Sequence, residues 1–202
     1  MARVGAPGRV AALAGLGPLI AVMMSIASVL VMVGCAPSPP PRLAPPIPAD
    51  QLDLGAFVAN PCGLLRPDRV TRQHLNAPGT VINDAVNNAG GPACRWNAAD
   101  NTHPHLTAGA DPSHNLEWLY EHRAEFGSFQ PTSVSHYPAV NTTPGGRRPT
   151  DGTCTTRVGV ADDSLLIVTA DYGGQRSRFA SNPCPDASGI AFEIITQLLG
   201  SG

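Results

Sequence analysis

The chain contains no lysine: all 13 of its basic residues are arginine. Together with 21 glycines and 21 prolines, that usage is what a GC-rich bacterial genome produces, and it carries no functional signal of its own. The missing lysine does exclude a P-loop, because the glycine pairs at 90–91, 145–146 and 173–174 lack both the lysine and the spacing that phosphate cradling requires. Charge is scarce as well, at 14% of residues. Once residues 1–34 are set aside, 11 arginines face 15 acidic residues, which leaves no basic footprint for nucleic acid. Closely paired cysteines of the C-x-x-C kind are missing, which argues against structural zinc. There is no G-x-S-x-G nucleophile elbow and no internal repeat.

One uncharged stretch is long. Residues 11–34 form a run of 24 residues without a charge, flanked by Arg3 and Arg9 and ending directly before Cys35. A positive flank, an apolar segment and a cysteine preceded by small residues are what lipoprotein export and processing read. The expected outcome is cleavage before Cys35, with S-diacylglycerol and an N-acyl chain on that residue. Several acyl chains give the stable anchoring that one chain does not. The run is also long enough to span a bilayer uncleaved, since about 20 residues suffice. Pro18 within it, Cys35 at its end and the segment that follows favour the lipoprotein reading. That segment, residues 36–50, has seven prolines in fifteen positions and reads as an extended tether of about 45 Å at about 3.1 Å per residue. The expected organisation is a signal peptide at 1–34, a lipidated Cys35 and tether at 35–50, and a single extracytoplasmic domain at 51–202, a length suited to one core.

With Cys35 assigned to lipid, Cys62, Cys94, Cys154 and Cys184 remain as an even set in an oxidising compartment, and two disulfides are expected. Three pairings exist. Loop-closure entropy grows too slowly with loop size to choose among them; the reading leans to Cys62 with Cys94 and Cys154 with Cys184.

Periodicity in the domain mixes helix and strand. Asn60-Pro61-Cys62 predicts a capped helix running to about His74, and the Asn- and Gly-rich stretch 76–92 reads as loop. Cys94 and Trp96 alternate with Arg95 and Asn97 as on a half-buried strand, with Leu106, Ala108 and Ala110 on its partner. A helix capped by Asp111 or Ser113 would bury Leu116, Leu119, Tyr120 and Phe126. Val134 to Val140 is expected to be extended, with Pro138 pushing it to a sheet edge or a bend. Thr156, Val158 and Val160, a turn at 161–164 and the apolar run at 165–170 form a hairpin whose second strand is central. A final helix from Asn182 to about Leu199 presents Ile190, Ile194, Ile195, Leu198 and Leu199 on one face. The fold class is therefore α+β, a single mainly antiparallel sheet with packed helices in an order near α-β-β-α-β-β-β-α.

Taken in sequence, CGLL at 62–65, CRW at 94–96, LEWLY at 116–120, HYPAV at 136–140, CTTRVGVADDSLLIV at 154–168, NPC at 182–184 and IAFEIITQLL at 190–199 resemble the actinobacterial lipoproteins of the domain of unknown function 3558 family. The resemblance covers nearly all of the mature domain and implies an exported, lipid-anchored envelope protein of mycobacterial type, with no established activity. Met32 in the lipobox is the departure from the pattern.

Candidate chemistry is thin. His103 and His105, with Asp100 or His114, have the donors of a zinc or copper site, but Pro104 and its turn-forming neighbours read as a solvated loop, and no metal is assigned. Asp111, Ser113 and His114 contain the residue types of a nucleophilic triad, yet they stand too close in sequence for its relay geometry, and helix capping explains them. Arg147 and Arg148, with Arg176 and Arg178, sit in two Gly-rich loops where guanidinium groups could contact an anion. The resulting expectation is a membrane-anchored, non-catalytic binding or accessory module without cofactor, facing an envelope protein, lipid or polymer. The alternative is a carrier or sensor of a small apolar ligand held between sheet and helices.

Overall fold

A strand covered on both faces has no polar side to show. Ser164–Asp171 is such a strand, with every residue from Leu165 to Ala170 buried, and it is the middle strand of seven. The computed structural model describes residues 41–83, 91–173 and 182–200. Its single sheet comprises β1 (Thr80–Asn83), β2 (Pro92–Trp96), β3 (His105–Asp111), β4 (Ser128–Val134), β5 (Tyr137–Thr143), β6 (Thr153–Ala161) and β7 (Ser164–Asp171). The order across the sheet is β1-β2-β3-β7-β6-β5-β4, all neighbours antiparallel. Among the described residues four α-helices accompany it: α1 (Gly55–Ala59), α2 (Pro67–Arg72), α3 (Leu116–Glu121) and α4 (Cys184–Leu199). The class is the expected α+β with two disulfides, while the chain order, α-α-β-β-β-α-β-β-β-β-α, has one more strand in each half than expected.

The first face of the sheet carries the larger core. Cys94, Trp96, Leu106, Ala108, Val158, Leu166 and Val168 meet Ala187, Ile190, Ala191, Ile194 and Ile195 of α4, whose spacing places them along one helical stripe. Each isoleucine so buried stabilises the fold by about 1.5–3 kcal/mol. Both disulfides tie helical segments to this face: Cys62–Cys94 holds the 3-10 turn at Pro61–Leu64 to β2, and Cys154–Cys184 holds the start of α4 to β6. The sequential pairing is the one formed. Trp96 is 2% exposed, on the same face as Cys94, as the alternation requires.

Among the described residues, α3 and the segment entering the domain cover part of the second face. Leu116 and Leu119 of α3 pack on Val140, Leu165 and Ile167, with Ala44 and Ile47 alongside. Residues 42–50, read as free tether from sequence, are docked on the domain, with Ala44 and Ile47 against this face and Asp50 beside Tyr137, whose side chain belongs to the core of the first face. The amides of Leu43 and Ala44 donate to the Glu117 carboxylate at 2.7 and 3.0 Å, His136 Nε2 lies 2.7 Å from Asp50 Oδ2, and the Tyr137 hydroxyl donates to the Asp50 carbonyl.

Four local expectations are corrected. The helix from Asn60 to His74 is split, because Pro67 lacks an amide hydrogen and forces Arg66 into extended geometry (φ −66°, ψ 150°); only the 3-10 turn and α2 remain, and Asn60 makes no side-chain cap bond. The stretch 76–92 contains β1, whose Thr80, Val81 and Ile82 pair with β2. Val134–Val140 is a tight turn rather than one extended piece: Ser135, at φ +57°, and His136 join β4 to β5. Pro138 thus lies in an internal strand, just before β6 pairing begins at Ala139, while the edge strand β4 carries Pro131. Finally, α3 is capped by Asn115, which accepts the Trp118 amide at 3.0 Å, and not by Asp111 or Ser113.

Candidate functional site

Directly opposed residues of antiparallel strands share a face. The register therefore aligns Arg95, Thr107, Thr169, Thr155 and Thr142 in one row across β2, β3, β7, β6 and β5 on the second face, with His105, Asp171 and Thr153 in the next row. Neither α3 nor the docked 42–50 segment covers this end. Among the described residues the result is a basin of about 420 Å³, lined by Ile82, Asn83, Arg95, His105, Thr107, Pro144, Arg147, Thr153, Thr169 and Asp171.

Its floor is hydroxylic and its rim cationic. Thr155 and Thr169, 2% and 4% exposed, share a hydrogen bond at 2.9 Å. Thr153 donates to Asp171 Oδ1 at 3.1 Å, and that same oxygen accepts the Gly173 amide. Arg147 is brought over the basin by the tight connection after β5, where the Thr143 hydroxyl donates to the Arg147 carbonyl at 2.9 Å and the Arg147 amide closes on Pro144. The Arg95 and Arg147 side chains form no ion pair with a carboxylate among the described residues. Two guanidinium groups and an imidazole against one carboxylate, over a hydroxyl floor, suit an anion that also carries hydroxyl groups.

Of the arginines singled out from sequence, Arg147 lines the basin. Arg148 does not, and its amide is engaged by Asp151 at 2.9 Å. Arg176 and Arg178 lie outside the described residues, as does Cys35. Arg95 was missed. Its alternation with Cys94 and Trp96 marks it as pointing away from the core, but only the sheet order places it beside the threonines of β3 and β7.

The remaining candidates are dispersed. Asp111 and His114 do pair, Oδ2 to Nδ1 at 2.8 Å, while Ser113 reaches Asp111 through its backbone amide. His114 meets the Trp118 ring at a tilt of 43°, with centroids 4.0 Å apart, and Trp118 stacks on His122. Nearby, Arg157 is 5% exposed; its guanidinium donates to Thr142 and lies 5.0 Å above the Phe126 ring. Burial pulls its pKa down to about 10, opposed by the field of Asp111, so it is charged at neutral pH. Asp100 and His103 come together with His74, whereas His105 and His114 stay apart from them. A second hollow, of about 360 Å³, is lined largely by Leu52, Leu54, Val58, Ala110, Pro112 and Ala161, with Asp53 and Asp163 at its edge.

These features define an α+β domain on one antiparallel sheet, stapled by two disulfides, with a basin on one sheet face among the described residues. The chain belongs to the family described as protein of unknown function (DUF3558), whose model matches residues 30–197. No curated protein and no solved structure matches it. Among the described residues, no helix is long and apolar enough to cross a membrane.

Proposed function

We propose that this protein is an envelope lipoprotein, held to the outer side of the cell membrane through Cys35, that acts as a non-catalytic binding module for an anionic, hydroxyl-rich group such as a phosphorylated or carboxylated sugar. The observation that carries the reading is the basin: Arg95 and Arg147, without carboxylate partners among the described residues, line it together with Thr107, Thr153 and Thr169. Anchoring rests on the uncharged run before Cys35 and the small residues preceding it. Calorimetric titration of the mature protein with glucose 6-phosphate, glucuronate and glucose tests the binding claim. The two anions should bind more tightly than glucose, and Arg95→Gln and Arg147→Gln should each weaken them by at least about tenfold, in line with loss of a charge-assisted bond worth about 1.5–3 kcal/mol. Equal affinity for glucose, or indifference to both substitutions, would refute it.

The hollow beside Leu52, Val58 and Pro112 supports a second reading, a carrier of a small apolar ligand, since its volume lies at the low end of ligand sites. Native mass spectrometry of protein extracted from its own membrane separates the two: co-purifying lipid favours the carrier, and bare protein the binding module.

A further inference from the structure

Helix α2 ends in a Schellman motif. The Leu75 amide donates to the Val70 carbonyl at 3.2 Å and the His74 amide to the Thr71 carbonyl at 3.1 Å, and the residue at the left-handed position is His74, at φ +55°. Glycine is the usual occupant of that position, because any side chain costs energy there. The imidazole at this position stacks on that of His103, with ring centroids 4.1 Å apart and an angle of 9° between the planes.

The two histidines come from segments 29 positions apart that are stitched together by backbone bonds. The Ala99 amide donates to the His74 carbonyl at 2.8 Å, the Asn76 amide to the Asn97 carbonyl at 2.9 Å, and Leu75 bridges Ala98. Asp100 is fixed in turn by the amide and hydroxyl of Thr102, at 2.7 and 2.6 Å, with its carboxylate 2.8 Å from His103 Nδ1.

We propose that His74, Asp100 and His103 form a surface site for a borderline divalent transition-metal ion, with zinc as the probe. One ligand atom from each residue lies within 4.8 Å of the other two. Two imidazole nitrogens and a carboxylate oxygen are the donor set of zinc with open positions for water or a further ligand. Closing the three atoms to about 3.4 Å, the spacing that tetrahedral bonds of about 2.1 Å imply, takes a rotation that lifts the exposed His74 ring out of its stack on His103 and presents Asp100 Oδ2, the oxygen that Thr102 does not hold. Binding would exchange the Asp100–His103 hydrogen bond for two metal bonds and lock the α2 terminus to the 97–103 connection. The inference is independent of the basin reading.

The test is zinc binding to the mature protein, measured by competition with a chromophoric chelator and, in parallel, by the rise in melting temperature with added zinc, which mass action requires if the folded state binds. One equivalent should bind, and His74→Gln, Asp100→Asn and His103→Gln should each weaken it by at least about tenfold, while His136→Gln, at the separate pair with Asp50, should not. His74→Gly guards against a folding artefact: glycine relieves the left-handed position, so this variant should melt at or above the parent temperature without zinc and lose the zinc-induced rise. Absence of stoichiometric binding, binding that survives all three ligand substitutions, or an equal loss in His136→Gln would overturn the proposal.

Discussion

Replacing Gly79 by alanine should be far more damaging than its partly exposed position suggests. The new Cβ would sit 2.3 Å from Cys94 Sγ and 2.5 Å from Trp96 Nε1. Neither neighbour can yield: the sulfur is locked in the bond to Cys62, and the indole, 2% exposed, is packed in the larger core. Overpacking of this kind costs about 1–3 kcal/mol, and each kcal/mol lowers the melting temperature of a domain this size by about 2–4 °C. A fall of roughly 2–12 °C is expected, with a changed near-ultraviolet circular dichroism band from Trp96. Gly189→Ala supplies the opposite sign: its Cβ meets nothing within 4 Å, and within α4 it should stabilise by about 0.5–1 kcal/mol. Thermal melts of both variants with intact disulfides make the comparison. If Gly79→Ala melts within about a degree of the parent, the packing of Trp96 against residue 79 described above is wrong.

Trp96→Ala should cost about 3–5 kcal/mol, a large share of a typical stability of about 5–15 kcal/mol, and chemical denaturation should read it directly; a near-parental midpoint would mean the β2 alternation is inverted. Glu117, whose pKa the Leu43 and then the Ala44 amides hold below the ordinary value, secures the 42–50 segment. A depressed carboxyl stabilises fully above its unfolded value of about 4.3 and loses that contribution as pH falls through the folded value, so hydrogen-exchange protection of Leu43 and Ala44 should hold from neutral pH to about 5 and drop below about 4. Unchanged protection at about pH 3 would show that the carboxylate does not hold the segment. Cys35→Ala should abolish incorporation of labelled palmitate in cells, since only the thiol forms the thioether; labelled Cys35→Ala protein would refute the anchor.

Much of the core was legible because it is periodic. The run at 165–170 had to be a strand buried on both faces, the Ile190–Ile194 stripe had to lie on a sheet, and Trp96 had to follow Cys94 inward. Misread stretches are those where one residue overrides a pattern: Pro67 cutting a helix that Leu64, Leu65 and Val70 otherwise suggested, and Ser135 turning left-handed inside an extended run. The docking of residues 42–50 was hidden for another reason. Proline favours extended chain, yet the free amides of Leu43 and Ala44 found a carboxylate 74 and 73 positions away. Nonlocality hid the basin too: β7 inserts between β3 and β6, so Arg95, Thr107 and Thr169 become neighbours only after the sheet has closed. His74 was legible as the end of a helix but not as a neighbour of Asp100 and His103, because that meeting depends on the nonlocal backbone bonds joining residues 74–76 to 97–99.

The binding claim is tested most directly by mapping amide chemical shifts on the mature, isotope-labelled protein during titration with glucose 6-phosphate. The account predicts shifts concentrated at His105–Thr107, Thr153–Thr155 and Thr169–Asp171, which line or floor the basin, and their loss in Arg95→Gln. Shifts confined to Leu52–Val58 and Ala161–Ser164, around the apolar hollow, or no shifts at millimolar sugar phosphate, would contradict it.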